Sequence, residues 1–352
     1  MRPSNLLAIL VIAASCAEEP ITKTEPSGDW NLPTSAQGKV VKPPKNPTTV
    51  TGLTRFKASN LAIPSFGLPD AQRFYSDGSL RASTAYNPYG ITAVTRDGRP
   101  RVRFYVNPTS PPEYLMTSLY PYHFRAEFSR HPWRISHPLG TEEWLGFSYI
   151  FPTVEQGFVQ NQTPVSIYQN HAGSVAGQTE NPPALQLEIA YPGQIKDPTN
   201  PYRQTPLGGE IMIINNVRGS RFVVQSFRIT PGCRLNVVMQ IVYGLGSEGL
   251  FNVWINGKLI EFPGYGTIPG GNIGSTVWPP KLETDVPVGG NSKLGLYHHQ
   301  LRLESSVLLN SAAGHTQMEV FMTDWNDVFR RPGDWDYKNT NGYKAVNTSE
   351  YP

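Results

Sequence analysis

The feature that most constrains this chain is a long series of short segments in which apolar and polar residues alternate. Clear examples are RVRFYV, LQLEIAY, LNVVMQIVY and QMEVFMTDW, each with the length and period typical of a β-strand. The chain contains 32 Gly and 33 Pro residues in 352, many of them between these segments, where they favour turns. No window shows a sustained helical period with capping residues. We therefore expect an all-β fold, a two-sheet antiparallel β-jelly-roll sandwich with a concave cleft on one face.

Two dipeptides predict the positions of hairpin turns. Asp97-Gly98 precedes the alternating RVRFYV, and Asn256-Gly257 lies inside LFNVWINGKLI. Both dipeptides suit the two-residue hairpin turn in which each central residue adopts a positive φ. We expect each of them to join two antiparallel strands.

The beginning of the chain, MRPSNLLAILVIAASC, combines one Arg, an apolar stretch and small residues, as a secretory signal peptide does. It is too short to span a membrane. Its last four residues resemble a bacterial lipoprotein cleavage box, which makes Cys16 a candidate for lipidation. We expect export, either as an outer-membrane lipoprotein at the bacterial cell surface or as a secreted or periplasmic protein. The predicted divisions are 1–16, a lipoprotein-type signal peptide; 17–58, a Pro/Thr-rich tether; 59–326, the β-jelly-roll domain; and 327–352, a turn-rich C-terminal tail.

Charge and cysteine content exclude some classes of protein. The formal net charge is +3 and no Lys/Arg-rich run is present, which argues against a nucleic-acid partner. Cys233 is the one other cysteine besides Cys16, so the mature chain is not expected to contain an internal disulfide. Pairs such as Asp334 with Asp336 offer weak support for a structural Ca²⁺, although solvated loop carboxylates are the commoner explanation. We predict no metal or cofactor for the chemistry.

Three segments carry residues suited to catalysis. They are Arg125-Ala-Glu127, Gln169-Asn-His171 and Lys293-Leu-Gly-Leu-Tyr297, the last followed by two histidines. Residues two apart in a strand share a face. If these strands are neighbours, one face of the sheet gains a cluster of Arg, Gln, His, Lys and Tyr.

That cluster suits β-elimination from a uronic acid. The reaction removes the proton at C5, which is α to a carboxylate. Cations and amide donors that neutralise the carboxylate also stabilise the enolate-like intermediate. A base then takes the proton and an acid protonates the leaving oxygen at C4, which are tasks that His and Tyr perform.

The three segments resemble, in chain order, the R-x-E, Q-x-H and K-x-G-x-Y motifs of jelly-roll alginate lyases. The chain also resembles heparin lyase I and the glucuronan lyases, which carry a Q-x-H and a K-x-x-x-Y motif. In addition, the segments EEWLGFSYIFP and GLFNVWINGKLI are similar to the heparin-lyase-I-like group. The resemblance covers residues from about 70 to 325. It implies a jelly-roll polysaccharide lyase with a concanavalin-like sandwich that cleaves a uronic-acid-containing polysaccharide by β-elimination.

The resemblance also implies roles for individual residues. His171 would be the general base and Tyr297 the general acid, with Tyr297 also able to act as base. Gln169 and Arg125 would neutralise the substrate carboxylate, and Lys293 would support Tyr297 or bind substrate.

Two further residues complete the predicted site, and the chain departs from the alginate-lyase pattern at two positions. Glu127 and His299 are expected to bind substrate or support the site, His299 because it shares a face with Tyr297. The second Arg of the first motif is replaced by Ser129, with an Arg one residue later. The aromatic residue that usually precedes the Lys by two positions is replaced by Asn291.

The near-neutral charge favours a non-sulfated polymer, glucuronan or alginate, over heparin-type chains. The expected partners are therefore an acidic polysaccharide and, if Cys16 is acylated, the outer membrane. The main alternative is a non-catalytic carbohydrate-binding jelly-roll protein of a polysaccharide-utilisation system, which needs no Gln/His/Lys/Tyr set. A glycoside hydrolase would need two carboxylates across the scissile bond. Glu188 and Glu210 lie on predicted strands but lack an E-x-D-x-x-E spacing.

Overall fold

The structure is a computed structural model, and it describes part of the chain. The described residues are 54–60, 73–74, 80–84, 90–106, 125–130, 140–151, 165–172, 185–189, 194–195, 204–205, 210–217, 220–228, 232, 234–243, 250–260, 290–298, 318–339 and 341–348. For some strand residues, His171 among them, it describes the backbone alone.

The described residues form eighteen strands, a short 3-10 helix (Ala58–Asn60) and one short α-helix (Asn341–Val346). The strands are β1 (Thr54–Lys57), β2 (Arg73–Phe74), β3 (Leu80–Ser83), β4 (Ile91–Arg96), β5 (Arg99–Val106), β6 (Arg125–Arg130), β7 (Glu142–Ile150), β8 (Val165–Ala172), β9 (Leu185–Ile189), β10 (Gln194–Ile195), β11 (Gln204–Thr205), β12 (Glu210–Val217), β13 (Ser220–Arg228), β14 (Arg234–Val242), β15 (Leu250–Ile255), β16 (Lys258–Leu259), β17 (Gly290–Tyr297) and β18 (Met318–Arg330).

These strands build two antiparallel sheets of eight strands each. The first sheet has the order β16-β15-β14-β7-β18-β5-β4, with β1 beside β18. The second sheet has the order β13-β12-β9-β8-β17-β6-β3-β2, and β10 and β11 form a separate pair. The predicted two-sheet sandwich of jelly-roll type is confirmed.

Both predicted hairpin turns are present. Asp97 and Gly98 have φ values of 52° and 71° and join β4 to β5, while Asn256 and Gly257 have φ values of 50° and 84° and join β15 to β16. A positive φ at both central residues gives the turn a twist that matches the strands it connects.

The apolar core lies between the two sheets because the alternating strands turn one side of each sheet inward. Phe104 of the first sheet meets Phe128 of the second edge to face, with ring centroids 5.3 Å apart. Phe147 of the first sheet stacks on Tyr168 of the second at 5.9 Å. Each such fully buried side chain contributes about 1.5–3 kcal/mol relative to an exposed one.

The β-domain begins earlier than predicted. Strand β1, at Thr54–Lys57, lies within the predicted tether 17–58, yet it pairs with β18. Its Phe56 is buried against Trp325, with ring centroids 4.9 Å apart. Four residues are too few for a strand pattern to stand out beside a Pro/Thr-rich stretch. The predicted signal peptide, Cys16 and the tether up to residue 53 lie outside the described residues.

The chain after β18 packs on the outer face of the first sheet. Strand β18 ends at Arg330, inside the segment predicted as the tail, and the α-helix Asn341–Val346 follows. The helix and the sheet share a second apolar cluster made of Trp144, Val238, Trp254, Val328 and Val346. In the described part of the chain, no helix has the length and apolar character needed to cross a membrane.

Polar contacts also fix this segment to the first sheet. Asn236 donates to the Asn347 Oδ1 at 2.9 Å, and Ser148 donates to the Asn236 Oδ1 at 2.8 Å. The buried Arg330 Nε and Asp336 Oδ2 form an ion pair at 2.6 Å. Residues 331–339 and 341–348 therefore belong to the folded domain and pack on the outer face of the first sheet.

Val346→Asp is expected to lower the free energy of unfolding by about 3 kcal/mol or more, because it places a charge in a fully buried apolar site. Urea unfolding followed by tryptophan fluorescence measures this change. Asn341→Asp introduces the same charge at an exposed position of the same helix and is expected to change stability by less than about 0.5 kcal/mol. Equal stability of the two variants would mean that the helix does not stabilise the domain.

Candidate active site

The three segments singled out in the sequence lie on three adjacent strands of the second sheet. Strand β17 pairs with β6 on one side and with β8 on the other. In this register, Tyr297 lies opposite Arg125 of β6, and Lys293 lies opposite Gln169 of β8. The fold thus brings together residues that are far apart in the chain.

Strand alternation places these side chains on the side of the sheet away from the core, and the half-buried Tyr297 also packs against the core cluster. Ala126, Leu294 and Leu296 lie in the core, so their neighbours along each strand point to the opposite side of the sheet. We call this side of the second sheet the site face. On β6, β8 and β17 its described side chains are Arg125, Glu127, Ser129, Ser166, Gln169, Lys293 and Tyr297.

Glu127 links the first two motifs. Gln169 donates from Nε2 to the Glu127 Oε1 at 2.6 Å, and the Arg125 Nε lies 3.3 Å from Oε2 in an ion pair without hydrogen-bond alignment. Glu127 and Gln169 are 2% and 1% exposed. A buried carboxylate needs such compensation. The contact fixes the orientation of the Gln169 amide and leaves its second N–H and its carbonyl for another partner.

Arg125 also contacts the aromatic ring of the third motif. Its guanidinium carbon lies 4.6 Å from the centre of the Tyr297 ring, which is a cation–π contact. Both side chains are half-buried, as is Lys293. The charged residues among the described side chains of β6, β8 and β17 on the site face are Arg125, Lys293 and Glu127. Two positive charges and one negative charge give a net charge of +1.

Three other tyrosines near these strands are more deeply buried than Tyr297. Tyr149, Tyr168 and Tyr243 are fully buried, and burial raises the pKa of each phenol well above its ordinary value. They remain neutral and serve as hydrogen-bonding groups of the core. Tyr297 is the phenol that β17 presents on the site face.

The structure also places the positions at which the chain departs from the alginate-lyase pattern. Ser129 lies opposite Lys293 and is buried, so a hydroxyl stands where the alginate-lyase pattern has a second Arg. Arg130 follows at the end of β6. Asn291 lies opposite His171, two pairs beyond Lys293 and Gln169. The backbone of His171 thus flanks the cluster, while its side chain lies outside the described residues.

The remaining residues considered from the sequence are spread more widely. His298 is fully buried, and His299 lies outside the described residues. Glu188 is buried on β9, on the same side of the sheet as the site face, and the side chain of Glu210 is not described.

The carboxylates considered for Ca²⁺ contact protein groups. Asp336 pairs with Arg330, and the Asp334 Oδ2 accepts a hydrogen bond from the backbone N–H of Arg331 at 2.7 Å. Within the described residues, no group of three or more His, Cys, Asp or Glu side chains is arranged to hold a metal ion.

Gly295, in the middle of the third motif, occupies a bulge. The register between β17 and β8 shifts between Leu294 and Tyr297, so β17 carries one extra residue there. Gly295 has a φ of +132°, and a Cβ at this position would lie 2.1 Å from the carbonyl oxygen of Ala126. Glycine alone fits this conformation and this space.

Tyr149, from the opposite sheet, contacts the backbone at the bulge. The Gly295 N–H donates to the Tyr149 Oη at 2.7 Å, and the Tyr149 O–H donates to the carbonyl of Ile167 on β8 at 3.0 Å. One phenol therefore bonds a backbone donor of β17 and a backbone acceptor of β8 where the register of the two strands shifts. Sequence reasoning missed Tyr149, because in EEWLGFSYI it is indistinguishable from a core aromatic.

A second missed group lies on the core side of β8 and β17 and includes Asn170, Ser292 and Tyr243. A signal for it was present in the sequence. If Gln169 and His171 face away from the core, then Asn170 must face into it, and a polar residue in a core position needs partners.

The model of the polysaccharide lyase family matches residues 70–322. The match covers well over half of the chain and includes all three motif strands. This chain belongs to the polysaccharide lyase family. No curated protein matches it.

Several solved structures resemble the fold. The endo-β-1,4-glucuronan lyase of the fungus Trichoderma reesei is 13% identical with a TM-score of 0.42, over 68% of this chain and 86% of that one. Alginate lyase Aly36B, as a mutant bound to an alginate trisaccharide, is 12% identical with a TM-score of 0.46, over 80% and 99%. An alginate lyase from Pseudomonas aeruginosa is 14% identical with a TM-score of 0.39, over 70% and 88%. At these identities and scores, no residue role follows from the likeness.

Proposed function

We propose that this lyase cleaves a non-sulfated uronic-acid polysaccharide, glucuronan or alginate, by β-elimination, leaving an unsaturated uronate at the new end. The observation that carries the proposal is the β6-β17-β8 register. It brings Arg125, Gln169, Lys293 and Tyr297 to one face of one sheet. The family supplies lyase chemistry, this cluster contributes cations, an amide donor and a phenol for β-elimination, and His171 of β8 is the proposed base.

The first requirement is charge neutralisation. A substrate carboxylate on the site face meets the cations Arg125 and Lys293 and the remaining N–H of Gln169. As C5 loses its proton, negative charge moves onto the carboxylate oxygens, and donors already aimed there stabilise the transition state more than the ground state. Glu127 holds both Arg125 and Gln169 in place, so less reorganisation is needed during the reaction.

The second requirement is a base that removes the C5 proton and an acid that protonates the leaving oxygen. In the proposed reaction His171 takes the C5 proton and Tyr297 protonates the C4 oxygen as its bond to carbon breaks. The electron pair of the C5–H bond becomes the C4=C5 double bond, and the pair of the C4–O bond leaves with the oxygen. The Arg125 cation over the Tyr297 ring stabilises the phenolate left after proton donation.

We base the proposed substrate class on the charge of the site face. The described side chains of the three motif strands carry one net positive charge, which suits a polymer with one carboxylate per sugar. Glu188, buried on β9 on the same side of the sheet, adds no positive charge that could bind sulfate groups. A heparin-type chain, with several sulfates per disaccharide, would need a more basic surface.

The test is an ultraviolet absorbance assay for the unsaturated product on glucuronan, alginate, pectate and the heparin, heparan and chondroitin sulfates. The proposal expects a rise with glucuronan or alginate. A rise with a sulfated chain alone would overturn the substrate class and keep the reaction. No rise with any polymer, together with retained binding, would replace the proposal by a carbohydrate-binding role.

Dialysis against EDTA is expected to leave the lyase rate unchanged, because Arg125 and Lys293 supply the positive charge that a metal ion would otherwise provide. The rate is measured before and after chelation, and again after Ca²⁺ is added back. Loss of activity restored by Ca²⁺, with an unchanged melting temperature, would assign a metal to the chemistry. Loss together with a lower melting temperature would assign it to the fold.

A further inference from the structure

A chain of buried polar side chains joins the two sheets behind the site face. Asn170 donates from Nδ2 to the Tyr243 Oη at 2.8 Å and to the Ser292 Oγ at 3.3 Å. The Tyr243 hydroxyl donates to Glu143, and the hydroxyls of Tyr168 and Ser292 lie 3.1 Å apart. We call these five residues the inter-sheet network. Each of its members is at most 3% exposed.

A network of buried polar side chains is unusual inside an apolar core. Around it the two sheets pack through Leu, Ile, Val and aromatic side chains. Burying a carboxylate, an amide and three hydroxyls costs free energy that well-packed apolar residues would avoid. Directional hydrogen bonds provide something that apolar packing does not, namely a defined separation and orientation of the elements they join.

The elements joined here are the strands that carry the proposed catalytic groups. In the register between β8 and β17, Ser292 lies opposite Asn170. The pairs on either side of it are Asn291 with His171 and Lys293 with Gln169. The hydrogen bond between Asn170 and Ser292 thus ties together, from the core side, two strands whose other side carries the site.

The network also lies next to an irregularity of the sheet. The ladder between β17 and β8 is regular from Gly290 to Leu294 and shifts immediately afterwards. Backbone pairing alone does not fix the relative position of two strands beside a bulge as firmly as within a regular ladder. Tyr243 of the first sheet reaches Asn170 at this point and anchors β8 to the opposite layer through Glu143.

We propose that Asn170 and Tyr243 are positioning residues of the lyase reaction, which hold His171 and Lys293 at the separation that the substrate requires. The expected loss of kcat rests on the proposed function, whereas the expected displacement of His171 does not. Asn170 and Tyr243 touch no substrate, since their polar groups lie on the core side of the sheet.

The kinetic experiment compares Asn170→Ala and Tyr243→Phe with Asn236→Ala on glucuronan and alginate. Asn236 is a matched control, because it is a buried asparagine with three side-chain hydrogen bonds on the outer face of the first sheet. Both network variants are expected to lower kcat by about tenfold or more with a small change in KM, since misplacement of a catalytic group acts on the chemical step. Asn236→Ala is expected to lower the melting temperature by a similar amount and to keep kcat.

A second readout does not depend on turnover. The imidazole nitrogens of His171 are observed by ¹⁵N NMR, with the resonance assigned from its loss in His171→Gln. The network variants are expected to shift or broaden this resonance, and Asn236→Ala is expected to leave it unchanged.

The two readouts separate the possible failures. Wild-type kcat and an unchanged His171 resonance in both network variants would overturn the positioning role, and so would an equal loss of kcat in Asn236→Ala. A wild-type protein that is inactive on every polymer, but whose His171 resonance responds to the network variants alone, would overturn the proposed reaction and still support the positioning role.

Discussion

Tyr297→Phe is expected to reduce formation of the unsaturated product by about 10³-fold while the protein stays folded, because it removes the proton donor for the leaving oxygen. Phe keeps the ring over which Arg125 lies, so the packing of the site face is retained. The rate is measured by absorbance of the product, and folding by circular dichroism and the melting temperature.

Tyr105→Phe is the matched control. Tyr105 is also half-buried on a strand, and the guanidinium of Arg103 lies over its ring at 4.3 Å, but it belongs to the outer side of the first sheet. This control is expected to keep full activity. If Tyr297→Phe did so too, Tyr297 would not be the acid.

His171→Ala extends the same prediction. Loss of the base is expected to be as severe as loss of Tyr297, and the double variant is expected to be little worse than either single one. Residues that act as a unit in catalysis give strongly non-additive losses. Additive losses would mean that the two residues act independently.

The sequence predicted the sandwich well because its dominant signals are local. Alternation and the dipeptides Asp97-Gly98 and Asn256-Gly257 depend on neighbouring residues alone, and each is present as expected. The adjacency of the motif strands is different. Nothing local states that β17 lies between β6 and β8. The sequence analysis considered only the case that the three strands are neighbours, and it did not predict their order.

What the sequence could not provide are contacts that cross from one sheet to the other. Tyr149 supports the Gly295 bulge from the opposite layer, and Tyr243 reaches Asn170 in the same way. Both tyrosines look like ordinary core aromatics along their own strands. The docking of residues 331–339 and 341–348 was also not predictable, because a turn-rich segment gives no period from which to assign a buried side.

Gly295→Ala is expected to destabilise the protein by about 3 kcal/mol or more, which is among the larger effects of a single substitution. Two causes add together. A φ of +132° is strained for any residue with a Cβ, and that Cβ would lie 2.1 Å from the Ala126 oxygen and 2.9 Å from the ring of Phe104. The backbone of β6 would have to move away from β17 to accept it.

The matched control is Gly98→Ala. Gly98 also has a positive φ, +71°, but a methyl group on its Cα would meet no atom within 4 Å. Its cost is expected to be about 1 kcal/mol, the conformational part alone. Urea unfolding of both variants gives the difference between them, which measures the close approach of β6. Equal costs would mean that β17 relaxes without loss of pairing.

The activity of the folded Gly295→Ala protein tests whether the bulge also places a catalytic residue. Lys293 lies opposite Gln169 of β8, and the bulge places Tyr297 opposite Ser166. If β17 relaxes to accept a methyl group at Gly295, Tyr297 moves relative to Gln169. We therefore expect kcat per folded molecule to fall together with stability, whereas Gly98→Ala keeps it. A destabilised Gly295→Ala protein with wild-type kcat would show that the bulge serves the fold and not the placement of Tyr297.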